Sequence, residues 1–183
     1  MHQLPVFLNL TGRTVVLVGE GEAADAKARL ITRAGGRIVP AWEAGATIAF
    51  VALDDAAEAR AAAEGLRARG LLVNVVDRPD LCDFTTPAIV DRAPVTIAIG
   101  TGGASAGLAK AIRQRIEALL PARLGALASA LHAARGAMKA RWPDAAGRRR
   151  AIDAALAPGG ASTTWRTASA RARSRMAGGT AAA

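Results

Sequence analysis

The sequence predicts an α/β protein: a Rossmann-like, mostly parallel sheet followed by an all-helical C-terminal region. Three observations carry that expectation. Short β-branched apolar runs alternate with amphipathic stretches over roughly the first 120 residues. A glycine-rich turn joins the first such run to the first such stretch. From Pro121 onward only helical periodicity remains.

The run RTVVLVG (13–19) is short, β-branched and nearly unbroken, as in a strand buried on both faces of a parallel sheet. A helix follows over 22–35, with Ala23, Ala26, Leu30 and Ala34 on one face and Gly35-Gly36 as its stop. Further strands are expected at 37–41, 46–53, 71–76 and 95–100, with helices at 55–70 and 107–120. One junction is anomalous. Only about five residues separate the second and third runs, whereas a parallel crossover takes a dozen or more. Either one strand is misread, or the connection is antiparallel or bent, or a crossover has been trimmed. Helices are expected over 121–142 and 143–157, with Pro121 and Pro143 at tolerated first-turn positions. Residues 158–183 are rich in Gly, Ser, Thr, Ala and Arg without an apolar period, and a disordered basic tail is expected there.

With 51% hydrophobic but only 3% aromatic residues, the core must be built from Ala, Leu, Ile and Val. The absence of an uninterrupted apolar run of spanning length argues against a membrane segment, and MHQLPVFLNL lacks the basic start of a signal peptide. Cys82 is the single cysteine, so no intrachain disulfide can form, and a cytoplasmic location is expected. The net charge of +9 is uneven: residues 1–120 are neutral, and all of the excess lies beyond them. That asymmetry suggests an anionic partner, or merely a solvated helical face with a basic tail. A nucleic-acid partner is disfavoured, because no aromatic stacking platform accompanies the arginines.

The turn GEGEAA matches G-x-G-x-x-A: one glycine for the tight turn, one for approach of a pyrophosphate, and a small residue for helix packing. Its rival reading is a plain tight turn. The dinucleotide fingerprint also wants an acid after the second strand, where Glu43 is the nearest candidate and is otherwise an exposed loop residue. Asp77, at the end of a strand in DRPD, reads by itself as a helix or turn cap. GTGGAS (100–105) precedes a helix, so its amides either receive an anion or simply make the strand-to-helix turn. His2 and His132 lack metal-ligand spacing, and no permanent metal site is expected.

Taken together, these motifs resemble the N-terminal dehydrogenase/ferrochelatase module of siroheme synthase and its stand-alone precorrin-2 dehydrogenase relatives. The likeness begins at LPVFLNLTGRTVVLVGEGEAADAKARLITRAG. It resumes at LLVNVVDRPDLCDFTTPAIVDRAPVTIAIGTGGASAGLAKAIRQRIEALLP and continues weakly through RLGALA and GRRRAID. The resemblance implies NAD-dependent oxidation of precorrin-2 to sirohydrochlorin, in some members followed by Fe2+ insertion. It implies cofactor contacts at Gly19, Gly21, Glu22, Ala23, Glu43 and Ala44, and a catalytic Asp77, which would also serve chelation. Substrate contacts follow at Asn74, Thr101, Gly102, Gly103 and Ser105, with Arg148, Arg149 and Arg150 available to an anionic tetrapyrrole.

Two departures from the family pattern stand out. Relatives have roughly two dozen more residues between the second and third strands, where the crossover is too short. Leu53 also replaces the hydroxyl-bearing residue that relatives tend to carry before the pair matched by Asp54-Asp55. The alternative function is therefore a degenerate, non-catalytic dinucleotide- or tetrapyrrole-binding protein. The expected organisation is an NAD-binding domain over 1–106, a helical dimerisation and tetrapyrrole-binding region over 107–157, and the tail, in a homodimer.

Overall fold

The computed structural model describes residues 3–156; the basic tail expected over 158–183 lies outside them. The chain divides into two compact units, with the boundary between Thr86 and Pro87.

The first unit is built on a parallel sheet. Its elements are β1 (Thr14–Gly19), α1 (Glu22–Arg33), β2 (Arg37–Val39), β3 (Ile48–Ala52), α2 (Ala56–Arg67) and β4 (Leu72–Val75), closed by a single 3-10 turn at Pro79–Leu81. The strand order is β2-β1-β3-β4, every pair parallel. Alternation along the strands feeds two cores. Val16, Val51 and Val73 point to the face covered by Ala59, Ala63 and Leu66 of α2. Val15, Leu17 and Phe50 point to the face covered by Ala24 and Ile31 of α1. All five residues of β3 are buried, which is why this run carries no polar residue. Asp55 starts α2 by accepting from the Ala57 and Glu58 amides at 2.8 and 2.9 Å.

The anomalous junction resolves as a trimmed crossover. β2 and β3 are both parallel to β1 and lie on opposite sides of it, so the chain crosses β1 without a helix. This is possible because β2 is only three residues long: it ends with Val39 opposite Val16, and β3 begins with Ile48 opposite Val15. The link therefore has almost no axial distance to recover. It must span two strand spacings, about 10 Å, plus the detour over one face of β1. Ala46 is buried there against the cluster that holds Val16 and Val39, on the α2 face.

The second unit contains β5 (Ala88–Arg92), β6 (Val95–Ile99), α3 (Ala106–Leu119), α4 (Leu124–Ala133), α5 (Arg135–Arg141) and α6 (Ala145–Leu156). The expected strand at 95–100 forms, but it is not a fifth parallel strand. It pairs antiparallel with β5, a strand the apolar pattern did not reveal, and Arg92 lies opposite Val95 across the two-residue link Ala93-Pro94. So short a link forces an antiparallel hairpin. β5 and β6 pack with the helices that follow, within the second compact unit.

Arg92 reaches from β5 to Glu117 of α3 at 3.4 Å, and Arg113 also binds the Glu117 carboxylate. α4 lies on the hairpin through Gly125, where a Cβ would stand 2.1 Å from the Ala93 carbonyl oxygen. The helix expected over 121–142 is interrupted at Ala134, and the last helix starts after Pro143, where Asp144 accepts from the Gly147 amide at 2.6 Å. Leu124, Leu127 and Leu131 of α4 are only half-buried.

Candidate functional site

The C-terminal edge of the parallel sheet gathers most of the candidate residues of the first unit. β1 ends in Gly19, whose φ of 106° and position admit only glycine: a Cβ would lie 2.0 Å from the Ala52 carbonyl oxygen. Gly21 also has a positive φ, 88°, but nothing lies within 4 Å of where its Cβ would be. The first glycine thus lets two strand ends meet, and the second leaves open space at the start of α1. Gly21 is the N-cap of α1 and contributes no side-chain cap, while Glu22 and Ala23 open the helix as exposed residues. The free amides of that first turn are a ready acceptor of negative charge.

Two strands away, β4 runs into Asp77. The Val76 amide donates to the Val51 carbonyl at 2.9 Å, and Gly19 pairs with Ala52, so Asp77 emerges at nearly the height of the glycine turn. The lateral separation is two strand spacings, about 10 Å. Asp77 is exposed and is the one non-glycine residue of positive φ (56°) among the described residues. Aspartate tolerates this left-handed geometry better than most residues.

Asn74 does not join Asp77 at the surface. It is only 5% exposed, and its Nδ2 donates to the Phe84 carbonyl at 2.8 Å and to the Cys82 sulfur at 3.5 Å. Its buried Oδ1 has no partner. The Asn74 side chain, for which a substrate contact is expected from the sequence, thus fastens the 82–84 loop in this structure. Cys82 is similarly enclosed, 3.2 Å from the Val75 amide and from the Val75 and Arg78 carbonyl oxygens.

Sequence reasoning missed Lys27. Its Nζ donates to Thr86 Oγ1 at 2.9 Å and stands 5.5 Å from the Phe50 ring centroid, with Phe84 edge-on to Phe50 at 5.4 Å. Burial pulls the Lys27 ammonium below its ordinary pKa, and the neighbouring Cys82 and Asp77 act against that shift. A signal existed: Lys27 lies three residues after buried Ala24 and four before buried Ile31, on the apolar stripe of α1. A lysine on such a stripe needs a partner.

The surrounding turns are tied to one another. Arg78 donates to the Leu53 and Asp54 carbonyls at 3.3 and 2.7 Å, linking the turns after β4 and β3. Arg67 of α2 grips both Asp83 oxygens at 2.9 and 3.0 Å, and Asp83 also accepts from the Val73 amide at 2.8 Å.

Glu43 and Ala44 are not brought to this edge. Glu43 Oε2 and Thr14 Oγ1 each lie 2.7 Å from the same Arg37 Nη2, which puts the carboxylate beside the first residue of β1. Neighbouring Trp42 lies 5.8 Å under the guanidinium of Arg69, just beyond the C-terminus of α2 and also at the N-terminal edge of the sheet. For a dinucleotide, then, the fit is divided. The open, uncapped turn at Gly21 suits a diphosphate, and the carboxylate expected at the adenosine ribose stands at the wrong edge.

In the second unit, Thr101, Gly102, Gly103 and Ser105 form the turn before α3. The Thr101 hydroxyl donates to the Ser105 carbonyl at 3.1 Å and accepts from its amide at 3.3 Å, and Ser105 Oγ accepts from the Leu108 amide at 3.1 Å. Both hydroxyls therefore shape the turn and cap the helix. Gly102 and Gly103 are exposed with positive φ of 62° and 84°. Arg148 is engaged with the Trp142 and Pro143 carbonyls, whereas Arg149 and Arg150 are exposed. Among the described residues there is no group of three or more His, Cys, Asp or Glu able to hold a metal ion, and no helix long and apolar enough to cross a membrane.

Comparison with known proteins supplies a context for this edge. Residues 36–88 match a family described as putative NAD(P)-binding. Siroheme synthase of Chromobacterium violaceum is 40% identical over 177 residues, taking in 82% of this chain and 38% of that protein. Siroheme synthase of Stutzerimonas stutzeri is 39% identical over 176 residues, 81% of this chain and 38% of that one. The chain thus spans well under half the length of these curated relatives. An alignment of 177 residues that uses 82% of a 183-residue chain also requires gaps in this chain, as a trimmed crossover would. Among solved structures, one titled SirC, precorrin-2 dehydrogenase superposes with a TM-score of 0.66 over 96% of this chain and 98% of that one, at 18% identity, and so shares the fold. The chain has a Rossmann-like fold, carries a segment that matches a putative NAD(P)-binding family, and is similar to the siroheme synthases over most of its own length.

Proposed function

We propose that the protein oxidises precorrin-2 to sirohydrochlorin, with NAD+ as an acceptor and Asp77 as the general base. The observation that carries this reading is the placement of Asp77, exposed and left-handed, at the same sheet edge as the Gly19–Gly21 turn. The likeness to siroheme synthases and to a precorrin-2 dehydrogenase supplies the substrate class.

The dinucleotide, when bound, supplies hydride acceptance. The rest of the chemistry falls to the chain. The α1 N-terminus at Gly21–Ala23 holds the diphosphate without a competing side-chain cap. Asp77 takes the proton that leaves as the substrate loses its hydride, so a hydride and a proton, two electrons and two protons in all, depart in balance. Lys27 adds positive charge behind that carboxylate in a partly desolvated place. Asn74 and Cys82 hold the loop that carries the geometry. In the second unit, taken by itself, the exposed backbone of Gly102 and Gly103 and the exposed Arg149 and Arg150 suit anionic groups such as carboxylates. The half-buried apolar residues of α4 suit pairing with a second copy, as expected for a homodimer. A single cysteine without a disulfide partner suits the cytoplasm.

The test is anaerobic single-turnover formation of NADH from precorrin-2, lost in Asp77→Asn and retained in Thr101→Ala. Iron insertion into sirohydrochlorin, with Fe2+ as substrate, would depend on the same carboxylate and is measured on the same variants. The placement of Glu43 favours one rival, a degenerate protein that binds tetrapyrrole without dinucleotide. Tetrapyrrole binding in a protein that fails to bind NAD+ and NADP+ would select it.

A further inference from the structure

We infer that this chain does not distinguish NAD+ from NADP+, because among the described residues the acid that follows β2, Glu43, does not stand at the edge of the sheet where the glycine turn lies. This rests on the reading above that the turn holds a nicotinamide dinucleotide.

Discrimination in such folds comes from an acid just beyond the strand next to β1. It accepts hydrogen bonds from the adenosine ribose and repels a 2′-phosphate. Here that strand is β2, and it ends too low. Val39 is opposite Val16, whereas β1 continues through Leu17 and Val18 to Gly19, with no strand beside it on that flank. The chain then turns away from the site. Glu43 is held by Arg37, Trp42 lies on Arg69, and Ala46 is buried under the crossover. Thr14, which shares Arg37 with Glu43, is five residues back along β1 from Gly19, about 17 Å at strand rise. No glutamate side chain covers that distance.

Nor can the link relax toward the turn. Its eight residues, 40–47, are committed to crossing β1, and its far end is fixed where the Leu72 amide donates to the Thr47 carbonyl at 3.0 Å. The acids beside the turn, Glu20 and Glu22, are exposed, precede or open α1, and do not follow β2 as the ribose-binding acid of such folds does. Selectivity built on the 2′-hydroxyl is thus absent, and the grip comes from the diphosphate and from whatever the nicotinamide end contacts.

Calorimetric titration of the purified protein with NAD+ and with NADP+ tests this without any turnover. The expected dissociation constants agree within about threefold, and Glu43→Ala leaves their ratio in that range, since removing an exposed ion pair hardly affects folding. A tenfold or greater preference for NAD+, or loss of a preference in Glu43→Ala, would overturn the inference while leaving the dehydrogenase reading intact. Failure of both dinucleotides to bind at millimolar concentration would overturn both.

Discussion

The backbone of Gly19 meets the carbonyl of Ala52 so closely that a Cβ would stand 2.0 Å from the oxygen, at a φ of 106°. Gly21, two residues on, has a φ of 88° and open space around it. The two glycines of one motif are therefore required for different reasons. Gly19→Ala must push β1 and β3 apart at their ends, in a well-packed sheet, and is expected to abolish soluble folded protein or lower the unfolding midpoint severely. Gly21→Ala is expected to fold, losing about 1–3 kcal/mol to backbone strain, and to lose dinucleotide binding as the methyl enters the open space. Urea unfolding with NAD+ titration separates the two outcomes.

Asp77 combines an exposed carboxylate with a left-handed backbone (φ 56°). Asparagine shares that backbone tolerance, so Asp77→Asn should keep the urea midpoint while removing the base, with precorrin-2 oxidation falling by about 10²–10⁴-fold. Asp77→Val should also lower stability, because a β-branched residue resists positive φ. Equal urea midpoints for the two variants would show that the backbone at residue 77 carries no strain.

How far these roles were visible in the sequence depends on whether one residue type alone satisfies the position. Gly19 and Gly21 were legible because both take a positive φ, and at Gly19 a backbone contact with Ala52 admits only glycine. The alternating elements of the first unit were legible because β1, β2 and β3 feed apolar faces on both sides. β5 was not, since Ala88–Arg92 is short, ends in two charges and turns through Ala93-Pro94 without a standard hairpin signal. Asn74 carried a motif, but its inward direction is set by a loop folded over it from residues 82–84. The crossover anomaly was visible as a length that did not fit, and only the register of β2 shows how the chain accommodates it.

Asp83 joins α2 to β4. It accepts from Arg67 through both oxygens and from the Val73 amide at 2.8 Å, and Val73 is fully buried. Asp83→Ala leaves that amide without its side-chain acceptor. The expected loss is about 1–3 kcal/mol, read in urea unfolding. Asp83→Asn, which retains an acceptor oxygen for Val73, should recover part of it.

Ser105 caps α3 through the Leu108 amide at 3.1 Å. Ser105→Ala is expected to cost about 1 kcal/mol, and Ser105→Gly only a few tenths. A loss of precorrin-2 affinity in Ser105→Ala with unchanged stability would reverse the assignment and make the hydroxyl a substrate contact.

Lys27 gives the fold a pH dependence at the alkaline end. Burial lowers its pKa in the folded protein below the ordinary 10.5, and only partly do Cys82 and Asp77 oppose it. Between the folded value and 10.5 the unfolded chain therefore holds the proton more fully than the folded one, so stability rises with pH across that window. Below the folded value both states are charged, and the cost of burying the ammonium is fully present. Above 10.5 both are neutral, and that cost is gone. Lys27→Met removes the titration along with the bond to Thr86. The unfolding free energy of the parent protein should accordingly rise relative to Lys27→Met as pH increases from neutrality toward 10.5, measured in parallel urea titrations. A difference that stays flat with pH would mean that Lys27 titrates alike in the folded and unfolded chains, and that the ammonium beside Phe50 is solvated after all.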